Sequence, residues 1–219
     1  MKIKISHTLV KKIIYSIGIL LIIAGLVGIY LYFNDKQIVM KPVTIIPTKT
    51  VVISLYKPSE APVSSNDFVK VPADQPREII LPSISAQGFI QKVGIDQNNQ
   101  MAVPNSIYLA GWYINSVKPG EPGLSIIDGH VLGRYNDAIF KDLINLKPGS
   151  TFSIIYGDNS EKLFVVKEVK LLLVNDTAVY LNEKDPNIKS QLNLITCGGT
   201  FDSNSQTYDK RVVVKSEGI

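Results

Sequence analysis

The chain has 219 residues, 45% of them hydrophobic and 19% charged, with a formal net charge of +4. That basicity is local: residues 1–73 carry 9 Lys+Arg against 3 Asp+Glu and residues 74–219 carry 14 against 16, so no phosphate-tracking stripe and no nucleic-acid partner are expected. A single cysteine, Cys197, excludes an internal disulfide and is a poor basis for a metal site, and neither a metal nor a cofactor is expected.

Lys2, Lys4, Lys11 and Lys12 make residues 1–12 a basic segment, and residues 13–33 are uncharged and almost wholly apolar. Those 21 residues would span about 31 Å as a helix, matching a hydrocarbon core of about 30 Å. No small-residue cleavage site follows, so 13–33 reads as an uncleaved transmembrane anchor rather than a signal peptide. The excess of positive charge before the anchor over Lys36, Lys41 and Lys49 after it places residues 1–12 in the cytoplasm and the bulk of the chain outside. Residues 34–76 hold six of the twelve prolines and read as an extended stalk reaching at most roughly 130 Å. The β-branched run at 44–55 is open to a second reading, as an extra strand on the domain that follows.

Residues 77–219 form one domain of ordinary size. Strands are predicted at 78–81, 88–93, 107–113, 124–128, 151–156, 162–174, 191–197 and 211–215. The run at 162–174 is long enough to need a bend near Glu168. Turn signals separate them, among them Pro119-Gly120-Glu121-Pro122-Gly123 and Lys147-Pro148-Gly149. Helical spacing is confined to 135–146, through Ile139, Leu143 and Leu146. Many short strands and few helices predict an all-β sandwich or a closed barrel.

Cys197 ends an apolar strand and precedes Gly198-Gly199, where the chain is expected to turn and admit a substrate backbone. His7 lies across the expected membrane, so His130, at the mouth of the strand ending in Gly129, is the available base. Arg211 opens the last strand and comes beside Cys197 if the two strands are antiparallel neighbours. Each residue alone has a plain alternative: a small buried hydrophobe, a satisfied edge histidine, an exposed arginine. Together they fit acyl transfer. A thiolate attacks a carbonyl carbon, an imidazolium protonates the leaving amine, and a guanidinium steadies the oxyanion. Unperturbed proton affinities leave only a few per cent thiolate at pH 7, a fraction that Arg211 would raise, and a reactive Cys197 would alkylate well below pH 8.

Leu194-Ile195-Thr196-Cys197, with Gly129-His130 upstream and Arg211 after a loop, resembles the sortases, cysteine transpeptidases of bacterial cell surfaces. Matching features recur in order at Arg77 to Pro82, Gly111-Trp112-Tyr113, the 119–123 turn and Ala138-Ile139-Phe140 with Leu143, so the likeness spans roughly residues 76–216. It implies a closed, mainly eight-stranded β-barrel at 77–219, on a single-pass bacterial membrane protein with its catalytic domain outside. It also implies that Cys197 attacks the Thr–Gly bond of an LPXTG-like sorting signal on surface proteins to give a thioacyl enzyme. An amine from a peptidoglycan precursor or a pilin lysine would then resolve that intermediate. His130 would be the general acid and base, Arg211 the substrate and oxyanion clamp, and Thr196 a substrate contact. Asn193 stands where the family motif usually has Thr, and the segment before the barrel lacks the acidic-plus-aromatic lid of many pilin-assembling members. The Gly-Trp-Tyr and Pro-Gly-Glu-Pro-Gly features look more like the class D to F group than classes A or B. Two rival readings are an L,D-transpeptidase, disfavoured by Thr196 before and Gly198 after the cysteine, and a tethered adhesion module with an incidental thiol.

Overall fold

The computed structural model describes residues 57–68, 70–97 and 99–219, together with Val27. The expected basic segment at 1–12, the anchor at 13–33 and the alternative strand at 44–55 therefore fall outside the described residues, save Val27. Among the described residues no helix is long and apolar enough to cross a membrane.

Eight strands close into a barrel: β1 (Pro76–Leu81), β2 (Ala86–Val93), β3 (Ala110–Tyr113), β4 (Gly123–Gly129), β5 (Thr151–Tyr156), β6 (Glu161–Leu173), β7 (Ser190–Asp202) and β8 (Thr207–Gly218). Their order around the barrel is β1-β2-β3-β4-β7-β8-β6-β5, with β2–β3 and β4–β7 parallel and the other pairs antiparallel. Each predicted strand is present, and β6 carries its expected irregularity between Val166 and Glu168. One face of each strand fills the interior. Ile79, Leu81, Ile127, Phe152, Ile154, Leu192, Leu194, Val212 and Val214 meet there, and Phe152 stacks on Phe164 at 5.4 Å between ring centres. Closure leaves no open sheet edge to satisfy.

Two expectations are corrected. The segment 135–146 is not a helix: Ile139, Phe140, Leu143 and Leu146 are buried, but only Leu143–Asn145 forms a short 3-10 turn. Ile139 donates its backbone N–H to Ile107 and Phe140 to His130, so tertiary partners, not helical ones, satisfy this backbone. The chain also does not turn at Gly198-Gly199. β7 runs on to Asp202, with an irregularity between Gly198 and Phe201, and Gly199 takes a φ of +79° that favours glycine.

An α-helix, α1 (Val174–Asn182), connects β6 to β7. It is fastened from several sides. Asn193 Nδ2 donates to Leu181 O at 2.7 Å, and Gln191 Nε2 donates to Glu183 O at 2.9 Å. Tyr180 packs between the ammonium groups of Lys170 and Lys215, 4.4 and 4.8 Å from its ring centre, and donates its hydroxyl to Glu168. The residue at the unusual motif position, Asn193, is thus a buried strap for this connection. Part of the expected stalk also lies on the barrel: Ser59 pairs with Ser106, and Phe68 stacks on Phe89 at 4.6 Å.

Candidate active site

Strand register brings the three distant residues together. Cys197 of β7 stands opposite Arg211 of β8. On its other side β7 runs parallel to β4, whose last paired residue, Asp128, lies beside Ile195, and His130 follows just past the end of β4 at Gly129. Neighbouring strands lie about 4.8 Å apart, so Cys197 and Arg211 are side by side on β7 and β8, and His130 completes the candidate row from the end of β4. Alternation decides the face. Leu192 and Leu194 point into the barrel, whereas Asn193, Ile195 and Cys197 point out with Leu124, Ile126, Asp128 and Val213. The row therefore lies on the outer wall at one end of these strands, where a peptide can lie along the sheet, rather than inside a mouth.

His130 is half-buried, with Nε2 2.9 Å from Pro104 O. A carbonyl can only accept, so Nε2 carries the hydrogen and Nδ1 is the basic atom of the neutral ring. Arg211 is held by its own hairpin: Nη1 donates to Tyr208 O at 2.9 Å and Lys210 O at 2.8 Å, and Nη2 to Thr207 Oγ1 at 3.4 Å. A guanidinium has five N–H donors, which leaves it capacity for a ligand in a fixed orientation. Thr196 lies on the opposite, interior side of β7. The residue is 4% exposed, and its hydroxyl donates to Gly129 O at 2.7 Å, joining the residue before Cys197 to the residue before His130.

Electrostatics set the resting state. Burial pushes the Cys197 thiol up, the Arg211 charge pulls it back, and Asp128 pushes it up again, with a net rise. Burial pushes the His130 imidazole down, opposed by its bond to Pro104 O. The expected lift in thiolate from Arg211 is present but outweighed by desolvation. Burial thus favours the neutral thiol and the neutral imidazole in the free site.

A cleft of about 660 Å³ is lined among others by Leu132, Tyr135, Phe201 and Tyr208, the last of which holds Arg211 through its carbonyl. Glu60 closes one side, its carboxylate accepting from the backbone N–H of Arg134, from Tyr135 N at 3.1 Å and from Asn136 Nδ2 at 2.9 Å. The loop that follows His130 is thereby fixed by the segment preceding the barrel. Among the described residues no group of three or more His, Cys, Asp or Glu is gathered for a metal ion.

Sequence reasoning passed over Asp128. Its signal was legible: one carboxylate inside the apolar run 124–129, two residues before the histidine and so on the same face of the strand.

The sortase domain model matches residues 79–218, and the chain belongs to the sortase family, a family of cysteine transpeptidases. Among solved structures it is similar to a lid mutant of sortase A from Corynebacterium diphtheriae. The two share 23% identity and a TM-score of 0.51, over 68% of this chain and 73% of that one. Sortase C-1 from Actinomyces oris superposes with a TM-score of 0.50 at 19% identity, covering 74% of this chain and 84% of its own. A Group B Streptococcus Pilus Island 1 sortase C2 gives 0.50 at 17%, over 74% and 82%. At these identities the likeness establishes the barrel fold. No curated protein matches the sequence.

Proposed function

We propose that the protein is a membrane-tethered cell-surface transpeptidase that cleaves an LPXTG-like sorting signal and passes the acyl part to an amine. What supports this reading is Cys197 paired with Arg211 across β7 and β8, with His130 just past the end of the adjacent β4, on a sortase barrel. In the first step the thiol proton moves to His130 Nδ1, and the sulfur adds to the carbonyl carbon of the Thr–Gly bond. The guanidinium of Arg211 steadies the oxyanion. As the C–N bond breaks, Nδ1–H protonates the departing Gly amine, leaving a thioester. An incoming amine, from a peptidoglycan precursor or a pilin lysine, gives its proton to the imidazole and displaces the sulfur. Thr196 supports the row from behind, through Gly129. Anchorage through residues 13–33, with the barrel outside a bacterial cell, is the membrane arrangement that accompanies this function.

The test uses the full-length chain with a fluorogenic LPXTG pentapeptide and hydroxylamine as acceptor. A thioacyl adduct at Cys197 is expected by mass spectrometry. Cys197→Ala should abolish turnover, and His130→Ala or Arg211→Ala should lower it by about 10³-fold or more. Wild-type turnover in Cys197→Ala would end the reading, and near-normal turnover in Arg211→Ala would remove the clamp from it.

A further inference from the structure

Asp128 is a buried carboxyl on the outer face of β4, two residues before His130. It is 5% exposed, and Oδ1 has no hydrogen-bond partner among the described residues. A built space holds it. Gly111, its register partner on β3, could not carry a side chain there, since a Cβ would fall 2.2 Å from Asp128 Oδ1 and 3.0 Å from both Pro104 Cγ and Val93 Cγ1. Pro104 is also the residue whose carbonyl holds His130 Nε2. The carboxyl thus sits in an enclosure whose wall is the imidazole's own support.

The titratable and charged groups around it are few. His130 follows on its own strand, Cys197 lies one pleat along on β7, and Arg211 stands beyond the thiol on β8. β2, β3 and the loop between them bring Val93, Gly111 and Pro104 against it, with Tyr113 one pleat away in the other direction. A charge at this position has opposite consequences for the two reacting groups. A carboxylate repels a thiolate and attracts an imidazolium, so it raises the proton affinity of both; a protonated carboxyl does neither.

We propose that Asp128 is a positioning residue that sets the protonation balance of the Cys197–His130 pair and thereby the pH window of the enzyme. In the resting site the buried carboxyl keeps its proton, and no negative charge opposes the sulfur. Burial holds that proton well above the ordinary carboxylate range. When the carboxyl ionises on the alkaline side, it delays the thiolate and favours the imidazolium that would form as the thiol gives up its proton. Strand spacings of about 4.8 Å across and about 3.3 Å per residue along put the Asp128 and Cys197 backbones about 8 Å apart. At that separation, with an effective dielectric of about 20, a unit charge changes a proton affinity by roughly tenfold or more.

The enzymatic part rests on the acyl-transfer reading, so the decisive measurements are made without substrate. Cys197 is the chain's lone thiol and His7 the only other imidazole, so iodoacetamide kinetics and histidine NMR report cleanly on the full-length protein. In Asp128→Asn, the pH midpoint of alkylation should move down, and alkylation between the pH at which the wild-type carboxyl ionises and the thiol midpoint should run about tenfold faster, while the His130 ring, which titrates where that carboxyl is still protonated, keeps its midpoint. The peptide-cleavage optimum should move to lower pH with the thiol. An unmoved alkylation midpoint in a folded Asp128→Asn protein overturns the inference, and if peptide cleavage persists it leaves the acyl-transfer reading standing. Should the asparagine variant fail to fold, Asp128→Ala serves in its place. Carbon NMR of the wild-type Asp128 carboxyl needs no variant, and titration in the ordinary carboxylate range near 4 would likewise overturn the proposal.

Discussion

Thr196→Val is the sharpest probe of how the barrel holds its row. Valine keeps the branched shape and removes one oxygen, so the change isolates the 2.7 Å bond from Thr196 Oγ1 to Gly129 O. That bond is buried, and losing its donor leaves the carbonyl short of a partner at a cost of about 1–3 kcal/mol. For a domain of this size the corresponding drop in melting temperature is roughly 2–12 °C. The effect on activity follows from geometry. Gly129 and Thr196 immediately precede His130 and Cys197, so loosening their junction lets the imidazole and sulfur drift apart, and a misplacement of about 1 Å can cost roughly 10²-fold. We expect kcat/KM for the sorting-signal peptide to fall about 10- to 100-fold, mainly in kcat, while Thr196→Ser stays close to wild type. Thermal melts and peptide cleavage measured on the same preparations read both effects. A Thr196→Val protein matching wild type within twofold in turnover and 1 °C in melting would show that the junction does not hold the row.

Three further outcomes are expected. Gly111→Ala forces a Cβ into the space of Asp128 Oδ1 and should destabilise the protein by about 1–3 kcal/mol. A double-mutant cycle with Asp128→Ala should recover part of that loss, whereas strict additivity would place the strain elsewhere. Asn193→Ala removes the buried donor to Leu181 O and should cost about 1–3 kcal/mol. Hydrogen exchange should then speed up across 174–182 more than in β1 or β5, and uniform exchange would count against the strap. The pH dependence of stability carries two opposite signs. Asp128 is raised on folding, so its contribution is full below the ordinary carboxylate range and is lost as pH rises toward its folded value. His130 is lowered on folding, so its contribution is full above about 6.5 and is lost as pH falls through its folded value. Asp128→Asn should therefore flatten the decline in melting temperature that sets in as pH rises above the ordinary carboxylate range, and His130→Gln should flatten the decline on the acid side. Parallel curves for wild type and variant would refute the assignment.

All eight strands could be read from the sequence because each is a short apolar run closed by a turn, a pattern that needs no tertiary information. Their order around the barrel could not. The β1–β5 and β6–β8 pairings join segments that no local signal links. The segment 135–146 shows what periodicity reports. Ile139, Leu143 and Leu146 recur at helical intervals because all three reach the same core, yet the backbone meets its hydrogen-bond needs through Ile107 and His130. Conversely, α1 buries only Thr177 and Leu181, too narrow a stripe to stand out beside the long β6 run. The candidate row was visible as residue types and motif, since one thiol and one usable imidazole leave little choice. Its support was not, because Thr196, Pro104 and Asp128 acquire meaning only once β4 lies parallel to β7. Burial draws the sulfur and the imidazole both toward their neutral forms, so the proposed acyl transfer has charge separating as a bound peptide meets the guanidinium.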